Sequence, residues 1–165
     1  MPYPGLAERL ADIRTRIGEH QKAGGWTHPV TIVAVTKTHP PEAVRAAVAA
    51  GLIAVGENRV QEALAKQAEL TDLPVEWHLI GTLQRNKAKL AVNRFALIHS
   101  VDNGELAQDL NRRAASGTRQ SILLQVNCSD EPQKGGVEPG ELPGLVDAIR
   151  PLERLELRGL MTMAA

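Results

Sequence analysis

Two hydrophobic periods alternate along the chain, and that alternation sets narrow limits on the fold. Short apolar runs rich in β-branched residues occur at 30–36, 52–55, 75–80, 95–99, 121–127 and 155–161. Between them lie stretches with helical spacing. The first, from Pro40-Pro41-Glu42, opens with prolines suited to a helix start and stops at Gly51. The second, 58–70, places Val60, Leu64 and Ala68 on one face. A later one begins at Asp102, has Glu105 three residues on, and runs through Leu106 and Leu110 to a Gly117 stop. Ahead of the first run, Leu6, Leu10, Ile13 and Ile17 form an extra amphipathic helix.

Successive apolar runs start about 20 to 35 residues apart, the length of a βαβ unit. Six such strands, each apolar on both faces, predict a parallel sheet covered by helices. Two α/β architectures then compete. A doubly wound open sheet of six strands would be complete at 165 residues, whereas a (β/α)8 barrel would be two strands short. The chain stops just after an apolar strand with no closing helix, which favours the barrel, read here as one incomplete domain over residues 1–165.

Composition removes several function classes. Nineteen Lys and Arg balance nineteen Asp and Glu, so no cationic field exists to hold a nucleic acid. Tyr3, Trp26, Trp77 and Phe95 are too few for base-stacking platforms or a membrane aromatic belt. No apolar run is long enough to cross a membrane, and the first ten residues lack a signal-peptide core. Cys128 stands alone, so an intramolecular disulfide and a cysteine-built metal site are excluded. The expectation is a soluble protein of the reducing cytoplasm.

Polar residues cluster just after the strands, where the active face of either architecture lies. Lys37 closes the first apolar run. A lysine partly desolvated there titrates nearer neutrality, and its neutral amine attacks an aldehyde or ketone to form a Schiff base. The ordinary alternative is a strand-exit lysine whose ammonium reaches solvent. Asn58, in the tight Gly56-Glu57-Asn58 turn, reads first as a helix cap, and His78, beside Trp77, as a core histidine. His39 and His99 lack metal-ligand spacing. Arg85 and Lys87 sit on a solvated helix face but could meet a phosphate. The 129–136 loop, with Lys134 at its tip, reads as a lid or as mobile surface. Cys128 is assigned to packing. Dinucleotide, Walker A and nucleophile-elbow patterns are absent.

Taken in order, VAVTKTHP at 33–40, VGENRVQEA at 55–63, WHLIGTLQRNKAK at 77–89, HSVD at 99–102, LLQVNCSDEPQKGGV at 123–137 and GLMTMAA at 159–165 resemble the YggS/PROSC family of pyridoxal 5′-phosphate homeostasis proteins. The resemblance implies the barrel of the alanine racemase N-terminal type, here about six βα units plus the N-terminal helix. It implies pyridoxal phosphate (PLP) as cofactor, with Lys37 forming the internal aldimine. Asn58, His78 and Met161 fall on motifs at the same barrel mouth and are expected beside the cofactor ring. Family members act in intracellular vitamin B6 homeostasis rather than in a defined turnover, with PLP and the apo-enzymes that use it as partners. A Schiff-base lyase, an aldolase or a racemase-like enzyme is the alternative. Racemisation needs a second acid/base, and the one tyrosine, Tyr3, lies outside the barrel pattern.

Two departures from the family pattern stand out. Where the family often has a second lysine, two residues after the first, this chain has His39. The family's chain also continues past the GLMTMAA stretch into the strands and loops that hold the cofactor phosphate. A family-like monomer is expected, with association through the open barrel seam and weakened cofactor affinity as consequences of the shorter chain.

Overall fold

The computed structural model describes residues 3–129 and 135–164. Helix α1 (Leu6–Gly24) precedes β1 (Ala34–Val35), α2 (Pro41–Ala49), β2 (Ala54–Glu57), α3 (Val60–Glu69) and β3 (Glu76–Leu79). A 3₁₀ turn (Arg85–Lys87) runs into α4 (Ala88–Ala91), then β4 (Leu97–Val101), α5 (Gly104–Arg113), β5 (Gln120–Gln125), α6 (Leu142–Ile149) and β6 (Leu155–Met161).

Strand order decides between the two architectures. The six strands pair in parallel as β1-β2-β3-β4-β5-β6, with no reversal. A doubly wound sheet reverses its order at a switch point, so that helices cover both faces. Sequential parallel units of one hand put every helix on the same face, and the twisted sheet becomes a barrel wall. This chain is an incomplete (β/α) barrel.

The helix-covered face holds the core. Leu79, Ile98, Ile122, Leu124 and Leu155 from the strands pack with Leu106 and Leu110 of α5 and Leu145 and Ile149 of α6. A smaller cluster joins Val55 to Val44 of α2 and Leu70. Strand side chains alternate between faces, so His78, Leu97, Ser121 and Leu123 lie on the other, concave side. The concave face is therefore mixed rather than wholly apolar as the hydrophobic runs suggest: His78 and Ser121 stand among Leu97 and Leu123.

Element boundaries differ where tertiary pairing is thin. The apolar run 30–36 yields only the two-residue β1, because only Ala34 and Val35 find register partners on β2 and Val30 and Val35 are exposed. The later helix starts from Asn103, whose Oδ1 accepts from the Leu106 amide at 2.8 Å, rather than from Asp102. Gly51 takes the left-handed conformation just after α2, whereas α5 already ends at Arg113 with an extended Ala114 cap, ahead of the left-handed Gly117. Helix α6 carries Pro143 and Gly144, whose turn character masks it in the sequence, yet Leu145 and Ile149 are buried beneath it. Among the described residues, no helix is long and apolar enough to cross a membrane.

Candidate functional site at the strand exits

Strand register brings the candidate residues to one end of the concave face. Val35 pairs with Gly56, Gly56 with His78, and His78 with Leu97. Two residues beyond those positions come Lys37, Asn58 and Ile80, each just past the end of its strand, and His99 within β4. On the far side Gln125, which follows the helix-side Leu124, pairs with Met161. His78, His99 and Met161 thus fall on the concave phase of the sheet near the carboxyl ends of the strands, and Lys37 leaves β1 at the same end, where barrels carry their sites.

Two glycines permit this close assembly. A side chain at Gly56 would lie 3.1 Å from the Ile80 methyl and 3.2 Å from Val33, which meet across it. At Gly81 a Cβ would sit 2.4 Å from the Asn58 carbonyl oxygen, so only glycine lets the β3 exit pass over the β2 exit. Asn58 does not cap α3: the N-cap position is Arg59, with no side-chain cap. Instead Asn58 lines a groove of about 410 Å³ with Arg59, Thr82, Gln84 and Lys87.

Lys37 is exposed, and among the described residues its ammonium has no hydrogen-bond or ion-pair partner. The desolvation expected at a strand exit is not present, because the concave face beside it is open: Val35 is 50% exposed. His78 Nδ1 lies 2.9 Å from His99 Nε2, one ring donating and the other accepting. Burial lowers the pKa of His78, and burial, with His78 alongside, pushes His99 down to about 4. At neutral pH the pair is an uncharged polar wall. The sequence alone dismisses His99; its signal lies in the strand phase, which becomes legible only once the β3–β4 register is known.

Other residues fall differently. Arg85 is committed to ion pairs with Glu105 and Asp109 of α5, so it is not a free phosphate ligand; Lys87 lines the groove. Cys128 is exposed and packs no core, contrary to its sequence assignment. Tyr3, set aside as outside the barrel pattern, stands edge-on to the His39 ring at 6.3 Å, two residues from Lys37. Lys134 lies outside the described residues. On the helix-covered side of β1 and β2, Thr36, Glu57 and Lys66 form a buried polar cluster for which the sequence gives no warning.

Residues 9–165 match the family described as alanine racemase, N-terminal domain. The pyridoxal phosphate homeostasis protein of Pseudomonas aeruginosa is 46% identical over 161 residues, covering 96% of this chain and 70% of that protein. The chain belongs to the pyridoxal phosphate homeostasis family. The Aquifex aeolicus family member is 40% identical over 158 residues, covering 94% of this chain and 69% of its own length. Among solved structures, PipY of Synechococcus elongatus with PLP bound superposes with a TM-score of 0.79 at 44% identity, over 96% of this chain and 70% of PipY. An alanine racemase from Clostridium difficile shares the fold at a TM-score of 0.70 and 15% identity, over 94% of this chain and 41% of the racemase.

Proposed function

We propose that this homeostasis-family chain binds PLP covalently through Lys37 and serves the intracellular pool of that cofactor rather than a steady turnover. The observation that carries the reading is the Lys37 amine itself: exposed, without an ion-pair partner among the described residues, and at the strand exits of a fold whose relative at 44% identity holds PLP. PLP supplies an aldehyde; a deprotonated lysine amine adds to it, and water leaves. Lys37 fits that role because, among the described residues, no carboxylate pairs with it. His78 and Met161, on the same concave face, are assigned to the cofactor ring, and Asn58 to the adjoining groove. An open rim suits transfer of cofactor to apo-enzymes, and a lone free cysteine suits the cytoplasm. The two sheet edges are proposed to support self-association.

Titration with PLP tests the assignment. The wild-type chain is expected to develop a bound-cofactor absorbance band that Lys37→Ala lacks, with far-ultraviolet circular dichroism unchanged between the two. A band of equal strength in Lys37→Ala overturns the assignment.

A further inference from the structure

We propose that the cluster of buried Glu57 and Lys66 with the half-buried Glu62 is a positioning device for Lys37, acting through the two peptide groups that flank it. The inference rests on the reading of Lys37 as the cofactor amine. The Lys66 ammonium, 5% exposed at residue level, donates to the Thr36 carbonyl at 2.9 Å, to Glu57 Oε1 at 2.7 Å and to Glu62 Oε1 at 3.2 Å. Those three bonds use all three of its protons. Glu57, with no solvent exposure, also accepts from the Thr36 hydroxyl at 2.5 Å. On the other side of Lys37, Glu62 Oε1 accepts from the Thr38 amide at 2.8 Å. The residue before Lys37 and the residue after it are therefore both gripped by charged groups reaching up from β2 and α3.

Stability alone does not explain this construction. Burying a lysine and a carboxylate costs desolvation that the ion pair roughly repays, and well-packed apolar residues would serve as well. What the charges add is geometry. Thr38 has φ of 63°, a left-handed conformation that a β-branched residue adopts only under constraint, and its amide is the one Glu62 holds. The Lys37 carbonyl in turn accepts from the Thr38 hydroxyl at 2.6 Å. A strand that would otherwise fray at this edge thus leaves with a fixed turn. Thr36 is buried and Lys37 exposed, so the cluster works from the buried, helix-covered side while the amine is presented outward.

Two measurements on the intact chain test the proposal. One is the rate constant for covalent capture of PLP; the other is acetylation of Lys37 by limiting acetic anhydride, compared with Lys22 in the same sample by mass spectrometry. Glu62→Ala removes the grip on the Thr38 amide and leaves the Lys66–Glu57 pair in place. It is expected to slow capture on the order of tenfold and to change the Lys37 to Lys22 labelling ratio, at unchanged melting temperature. Glu62→Gln keeps an acceptor for the Thr38 amide and should restore most of the rate. Lys66→Met should slow capture as Glu62→Ala does, but at a lowered melting temperature, because Glu57 is left buried and unpaired; should it fail to fold, the Glu62 pair decides the matter. Wild-type capture and labelling in folded Glu62→Ala overturn the proposal while Lys37 stays the cofactor amine. Capture that survives in Lys37→Ala overturns both.

Discussion

His78 and His99 show how much of this site depends on single side chains meeting across strands. An unfolded chain takes up protons on histidine near 6.5, whereas folded His99 resists protonation down to about 4. Between those values the unfolded state binds more protons, so stability falls as pH falls through that window. The urea midpoint should therefore drop between pH 7 and pH 4.5, and His99→Gln, which keeps a hydrogen-bonding group without the titration, should flatten that drop. An unchanged pH slope in His99→Gln would place the acid sensitivity elsewhere. The position of Lys37 at a strand exit is legible in the sequence because a lysine closing an apolar run is conspicuous; its exposure is not, because the openness beside it is a tertiary property. Lys66 is not legible: a lysine in a polar helix looks solvated until α3 is laid against β1 and β2. His99 shares that fate, because its partner is 21 residues away.

At the scale of elements, packing against neighbours sets boundaries that local pattern leaves loose. The run 155–161 appears in full as β6, paired with β5 along its length, whereas 30–36 shrinks to β1, which pairs with β2 only at Ala34 and Val35. Helix α6 is hidden by Pro143 and Gly144, whose local turn preference is overridden by the burial of Leu145 and Ile149. The crossing of the β2 and β3 exits depends on Gly81. Gly81→Ala forces a methyl against the Asn58 backbone and should cost about 1–3 kcal/mol in denaturant melts. Gly140→Ala, with open space around the new methyl, is the matched control and should change little. Equal midpoints for the two variants would mean that the close approach at Gly81 relaxes without cost.

Across the whole chain, the six described strands form one curved parallel sheet with β1 and β6 at its edges. Alternating periods in the sequence establish the βα units but leave barrel and open sheet unresolved; the unreversed strand order, a long-range property, resolves them. Leu157, Leu160 and Met163 are exposed along or just beyond β6, and unpaired edges template association. Average mass by light scattering should rise with protein concentration, and Leu160→Lys should suppress the rise. A wild-type chain that stays monomeric throughout would contradict this. The central claim, that the fold presents Lys37 as the cofactor amine, is tested most directly by reductive trapping. Borohydride is added to the chain mixed with PLP, and the pyridoxyl group is mapped by peptide mass spectrometry. The label is expected on Lys37. A label found mainly on Lys87, Lys89 or spread over the other surface lysines would contradict it.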